Sequence, residues 1–232
     1  MSLMLGGRRI EAAVFDFDGV LADTAHGWAR AEAALCDSFG VTYTADLAEQ
    51  THGVGLDDAV RVLTAAVDPP VLHHEACALM RELAYKHVPA DASAIEGAVE
   101  SVRILASRVP VAIASNSERP LLELLVVDLA LDDTVAAVVS ASDVTAPKPA
   151  PDVYLEAVRR LGGTPGRTLA VEDSSTGGTA AHAAGCVVVA LDLPVKGTNR
   201  LDPPWATVTV TSHAQLCAMI EPAPGKERCD RR

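Results

Sequence analysis

The sequence predicts an α/β protein: a parallel β-sheet covered by helices on both faces, with an all-helical segment inserted near its start. Three observations predict it. From residue 95 onward, short apolar runs that read as buried strands alternate with stretches of helical periodicity, the pattern a parallel sheet requires. Between residues 24 and 86 the periodicity is helical throughout. Nearly every apolar run stops at polar residues, which gathers them on the rim beyond the carboxyl ends of the strands, where open α/β sheets bind ligands.

The elements follow in order. Residues 12–17 form a short apolar run cut off by Asp18-Gly19, a buried strand ending in a turn. In the insert, Trp28, Ala31, Leu35 and Phe39 recur at helical spacing before Gly40, and residues 56–67 and 71–85 repeat the pattern. Strands are then expected at 110–115, 135–140, 168–171, 186–191 and 206–210, and helices at 118–129, 151–161 and 176–184. The stretch 221–232 (EPAPGKERCDRR) lacks apolar periodicity and reads as a mobile tail.

Composition narrows the function. A chain of 232 residues, 49% hydrophobic, can bury a substantial core. Its net charge of −12 argues against nucleic acid or an anionic membrane as partner, so an anionic ligand must be met by local positive charge. The five cysteines, Cys36, Cys77, Cys186, Cys217 and Cys229, have neither CxxC nor zinc-type spacing. The opening MSLMLGGRRIEAAVF lacks the uninterrupted apolar stretch of a secretory leader, and no run reaches the length of a membrane helix. A cytoplasmic protein, monomer or homodimer, is expected.

Four groups on the predicted rim carry chemistry. Asp16 and Asp18 end the first strand, and the turn at Gly19 lets the second carboxylate address a different atom from the first. An isolated Asp-x-Asp forms a solvated turn as readily, but Asp16 interrupts a strand that should be buried, where an unpaired carboxylate is costly. Glu172 and Asp173 end another strand before a Ser-Ser-Thr-Gly-Gly turn. Acids at a helix entry also interact with its dipole; clustered beside Asp16, they call for a hard cation, and magnesium fits oxygen ligands. Ser115-Asn116-Ser117 precedes an apolar helix and offers a hydroxyl and backbone N–H groups to an anion, or a plain N-cap. Lys148 stands among Pro147, Pro149 and Pro151, on a loop stiff enough to aim it.

In this order, Asp16-Phe17-Asp18-Gly19-Val20, Ser115-Asn116-Ser117, Lys148-Pro149 and Glu172-Asp173-Ser174-Ser175-Thr176-Gly177 resemble the motifs of the haloacid dehalogenase-like superfamily, over nearly the whole chain. The resemblance implies a Rossmann-like core, residues 1–23 and 93–220, with a helical cap at 24–92. It implies Asp16 as a nucleophile that forms an aspartyl-phosphate and Asp18 as general acid and base. Ser115 and Lys148 would hold the phosphoryl oxygens, with Asn116 a further substrate contact. Magnesium would be bound by Asp16, the backbone carbonyl of Asp18 and Asp173, with Glu172 a ligand or the partner of one.

The cap resembles the subfamily of β-phosphoglucomutase and small-metabolite phosphatases. Mutases of that type carry a Lys-Gly-Val-Ser-Arg-like loop for a second phosphate; this chain has His52-Gly53-Val54-Gly55-Leu56. Leu56 lacks the bidentate guanidinium clamp, and Trp28 occupies the place of a mutase histidine, with His26 two residues earlier. Hydrolysis of a small phosphorylated metabolite is therefore the first expectation, a sugar phosphomutase the runner-up and a non-catalytic phosphometabolite-binding protein the third. His52 and Gly53 are candidate substrate contacts from the cap, with Arg81 and Lys86 behind them.

Overall fold

The computed structural model describes residues 2–193 and 203–222. The chain opens with β1 (Leu3–Leu5) and β2 (Arg8–Ile10), then enters β3 (Ala12–Phe15) and the short β4 (Ala22–Asp23). Four helices follow: α1 (Ala25–Ser38), α2 (Ala45–Thr51), α3 (Leu56–Thr64) and α4 (His73–Asp91). The chain returns through β5 (Ser93–Ala94) and alternates α5 (Ala98–Ala106), β6 (Val111–Ser115), α6 (Arg119–Asp128), β7 (Ala137–Ser140), α7 (Asp152–Arg160), β8 (Thr168–Glu172), α8 (Ser175–Ala183) and β9 (Val187–Leu191). It continues with β10 (Val208–Val210), α9 (His213–Met219) and β11 (Glu221–Pro222).

The main sheet has six parallel strands in the order β10-β9-β8-β3-β6-β7, so β3 is central. Strand periodicity divides its side chains between two faces. Phe15, Ile113, Val171 and Val189 join an apolar cluster with Val102 and Leu105 of α5, Leu122 and Leu125 of α6 and Leu216 of α9. Val14, Ala112, Ala170 and Val188 pack on the other face against Val153 and Tyr154 of α7 and Ala180 and Ala181 of α8. Buried on both faces, β3, β6, β8 and β9 are almost wholly apolar, which is what made them legible as strands.

The inserted helices form a cap with its own core, in which Ala31 and Leu35 of α1 meet Val60 and Leu63 of α3 and Ala76 and Met80 of α4. Gly27 permits the close approach of α1 to α4, since a Cβ there would lie 2.6 Å from the Cα of Val88. The chain leaves for the cap and comes back through β4 and β5, which pair antiparallel.

Several elements were not anticipated. α2 is short and has one large apolar residue, Leu47; it is capped by Thr44, whose side chain accepts from the Leu47 N–H at 3.3 Å. α5 carries a helical signal in Ala98, Val102 and Leu105 that the sequence reading passed over. Glu221 and Pro222, assigned to a mobile tail, pair with Met4 and Leu3 of β1; the backbone bonds need no apolar periodicity. Residues 223–232 of that expected tail, Cys229 among them, lie outside the described residues. Cys36, Cys77, Cys186 and Cys217 are free thiols. Among the described residues no helix is long and apolar enough to cross a membrane.

Candidate active site

The register of the central strands builds the site. Phe15 is paired with Ile113 on one side and Val171 on the other, so the next residue, Asp16, emerges between the ends of β6 and β8, beside Glu172. Its N–H still bonds the Val171 carbonyl at 3.0 Å, so the nucleophile candidate is fixed by the sheet. The chain then turns sharply: the Phe17 carbonyl accepts from the N–H groups of Val20, Leu21 and Ala22, and Gly19 adopts a φ of +80°. A Cβ on Gly19 would sit 1.9 Å from Asp173 Oδ2, so only glycine lets the two loops meet here.

Lys148 ties these loops together. Its Nζ donates to Asp16 Oδ1 at 2.6 Å, to Glu172 Oε1 at 2.7 Å and to the Ala114 carbonyl at 2.9 Å, and it lies 5.0 Å from the centre of the Tyr154 ring. Tyr154 donates its hydroxyl to the same Glu172 oxygen at 2.6 Å. Glu172 is completely buried, and its other oxygen accepts from Ser174, so its carboxylate is committed to holding Lys148 and the turn into α8. Burial disfavours the ammonium, but the Asp16 and Glu172 charges outweigh it and push the Lys148 pKa up.

The acids are short of positive charge. Burial pushes the Asp16 carboxyl well above the ordinary carboxylate range, the Glu172 charge adds to this, and Lys148 offsets only part of it. Burial and Glu172 push Asp173 up to about 8. Asp173 Oδ1 is buried, and among the described residues it has no hydrogen-bond partner. Asp16, Glu172 and Asp173 can place one oxygen each within 4.8 Å of one another. An orphaned buried carboxylate oxygen in a desolvated, oxygen-only cluster fits a hard divalent cation. A second cluster, Asp57, His73 and Cys77, lies on the cap and contributes no residue to the cavity described below.

Asp18 faces away from this cluster. Its Oδ1 accepts from Thr24 Oγ1 at 2.7 Å and Trp28 Nε1 at 3.0 Å; its Oδ2 accepts from Ser115 Oγ at 3.1 Å and Ser117 Oγ at 2.9 Å. Ser115, expected to address a phosphoryl group, here gives its hydroxyl to Asp18. Asn116, expected on the substrate, is used as a brace: Nδ2 donates to the carbonyls of Gly53 and Lys148, both at 3.1 Å, and Oδ1 accepts from the Lys148 N–H at 2.9 Å.

Above these groups a cavity of about 730 Å³ separates the rim from the cap. Asp16, Asp18, Ser115, Lys148 and Asp173 line its floor; Trp28, Glu32, Tyr43, Thr51 and Leu56 line the cap side, with His52 and Gly53 at the cap loop. Arg81 and Lys86 are not among its lining residues: Arg81 is held by Glu118 at 2.9 Å, bridging cap to core, and Lys86 is exposed on α4. The sequence reading missed Glu32, Tyr43 and Thr51. The signal for Glu32 was a charged residue on the buried stripe of α1, between Ala31 and Leu35.

Residues 13–191 match the haloacid dehalogenase-like hydrolases, more than half of the chain. The chain belongs to that family. It is 31% identical over 185 residues to a phosphorylated carbohydrates phosphatase of Thermotoga maritima, covering 76% of this chain and 82% of the relative. It is 30% identical over 217 residues to hexitol phosphatase B of Escherichia coli O157:H7, covering 91% and 96%. A solved haloacid dehalogenase-like hydrolase of Deinococcus radiodurans R1, with bound phosphate and sodium, is 29% identical with a TM-score of 0.65, over 92% of this chain and 99% of that one.

Proposed function

We propose that this hydrolase is a magnesium-dependent phosphatase that cleaves a small phosphorylated metabolite through an aspartyl-phosphate on Asp16. The carrying observation is the desolvated Asp16 carboxylate at the end of the central strand, held 2.6 Å from Lys148 and facing the cavity. Asp16, Asp173 and the backbone carbonyl of Asp18 are the proposed magnesium ligands, with Glu172 supporting them through Lys148. Magnesium, when bound, supplies positive charge that offsets the phosphoryl oxygens.

Asp16 attacks phosphorus while the leaving oxygen takes a proton from Asp18; Asp18 then removes a proton from water, whose oxygen attacks the same phosphorus, breaks its bond to the Asp16 carboxylate and departs in inorganic phosphate. Splitting the displacement in this way replaces one hard step with two easier ones. Lys148 stabilises charge on the transferring group. Turning the Ser115 hydroxyl from Asp18 to the phosphoryl group would leave Ser117 as the remaining described donor to Asp18 Oδ2 and make room there for the proton. Residues 24–92 are proposed as the cap and the flanking segments as the catalytic core, with β4 and β5 as the joint.

Hydrolysis is favoured over mutase chemistry by the cap loop: Leu56 lines the cavity, among the described lining residues Lys148 is the only lysine or arginine, and His52 is only a partial replacement for a permanent charge on a second phosphate. The retained set of Asp16, Asp18, Lys148 and Asp173 supports turnover over mere binding. The test is phosphate release from sugar phosphates, phosphoglycolate, nucleotides and an aryl phosphate, with magnesium or EDTA. Magnesium-dependent release that falls about 10⁴-fold or more in Asp16→Asn is expected. No release from any ester by folded, magnesium-binding protein overturns the reading.

A further inference from the structure

We propose that Glu32 on α1 makes the cap wall a subsite for the hydroxyl groups of an uncharged polyol or sugar leaving group. The inference rests on the phosphatase reading and adds to it the class of leaving group. Glu32 is 6% exposed yet lines the cavity. Tyr43 Oη donates to its Oε2 at 2.5 Å and Thr51 Oγ1 to the same atom at 3.0 Å, while among the described residues no donor reaches Oε1. Two hydroxyls thus fix the carboxylate and leave one oxygen for something that enters the cavity.

A purely structural role is a poor use of this group. Two hydroxyl donors need only a neutral acceptor, whereas a buried carboxylate costs desolvation that two neutral hydrogen bonds do not repay. Burial pushes its pKa up, and the Tyr43 and Thr51 bonds favour the anion. An anion presented to a ligand accepts O–H groups strongly and repels a second negative charge.

Position sets the reach. Trp28 and Glu32 are one turn apart on α1, about 6 Å along the helix axis. Trp28 Nε1 touches Asp18 at the reacting end, so Glu32 stands one turn further along the wall, where hydroxyls a few carbons from the ester oxygen arrive. Ala29, Ala48 and Ala59 around it keep that part of the cavity open.

The test is a crossing of specificities in Glu32→Gln. With sorbitol 6-phosphate, kcat/KM should fall about 10-fold or more, the scale of a charged hydrogen bond lost. With phosphoglycolate, whose leaving group is anionic, kcat/KM should rise. A misfolded or loosened cap lowers both, so movement of the two substrates in the same direction, or no loss with sorbitol 6-phosphate, overturns the proposal. Calorimetry in an Asp16→Asn background decides the matter without turnover. There Glu32→Gln should weaken sorbitol 6-phosphate about 10-fold and leave inorganic phosphate unchanged; equal effects on both overturn it. If wild-type protein hydrolyses no ester, the phosphatase reading fails alone and the calorimetric comparison still judges Glu32.

Discussion

The two walls of the cavity are built on opposite electrostatic plans. Below the core rim, Asp16 and Glu172 share one buried ammonium, Lys148, with Asp173 beside them, one of whose oxygens has no hydrogen-bond partner among the described residues. On the cap wall a single carboxylate, Glu32, is held by two hydroxyls among Trp28, Leu56 and small alanines. On the proposed reading the rim brings charge to a phosphoryl group and the cap sorts what is attached to it. Substitutions on the rim should therefore act on every substrate alike, and those in the cap on some substrates only.

Lys148→Met should produce the largest effect that still leaves Asp16 in place. Removing the cation leaves Asp16 and Glu172 facing each other in a buried site, at a cost of about 3–5 kcal/mol of folding stability. Phosphate release should fall about 10³-fold, equally for sugar and aryl phosphates. Urea unfolding and a substrate panel check both; a loss confined to sugar phosphates would break the division between the walls.

Asp173→Asn sharpens the account of the rim. The folded-state pKa of Asp173 is pushed up to about 8, so the folded protein holds a proton that the unfolded chain gives up in the ordinary carboxylate range. Between those limits the metal-free protein should lose stability as pH rises, and Asp173→Asn should flatten that slope. Half-activation should require at least about 10-fold more magnesium in the variant, since even partners one step removed from a metal typically matter that much. Thermal unfolding against pH in EDTA, and a magnesium titration of activity, read the two effects. An unchanged pH slope would remove Asp173 from the set of strained acids.

How much was legible follows the same division. Each rim residue stands where an apolar run stops, and parallel strands in register bring such stops together, so Asp16, Ser115 and Glu172 meet for reasons that local sequence contains. Lys148 comes to them on a proline-stiffened loop braced by Asn116. The cap contacts depend on how one group of helices sits over another sheet. Nothing near Trp28 in the sequence announces Asp18, and nothing near Gly53 announces Asn116. Glu32 was visible as a charge on a buried stripe, but only the packing of Tyr43 and Thr51 shows which of its oxygens is spent. The strands β1, β2 and β11, three residues or fewer, are too short for periodicity to mark them.

Trp28 is one of the places where the two walls touch, and it yields the smallest of these effects. Its indole N–H bonds Asp18 Oδ1 at 3.0 Å, so a cap residue helps set the orientation of the proposed acid and base. Phe at this position keeps most of the apolar surface and removes the donor; Asp18 retains Thr24, Ser115 and Ser117. The loss in kcat should then be about 10-fold, near the lower end for a hydrogen bond to a charged group. KM and the magnesium requirement should stay close to wild type, because neither the phosphoryl donors nor the Asp173 cluster is disturbed. The split between kcat and KM distinguishes this from loosened packing: a misoriented Asp18 lowers kcat most for the poorest leaving groups with KM unmoved, whereas a disordered cap raises KM for sugar phosphates. That second outcome would make Trp28 part of the sorting wall alone and leave the rim to hold Asp18 by itself.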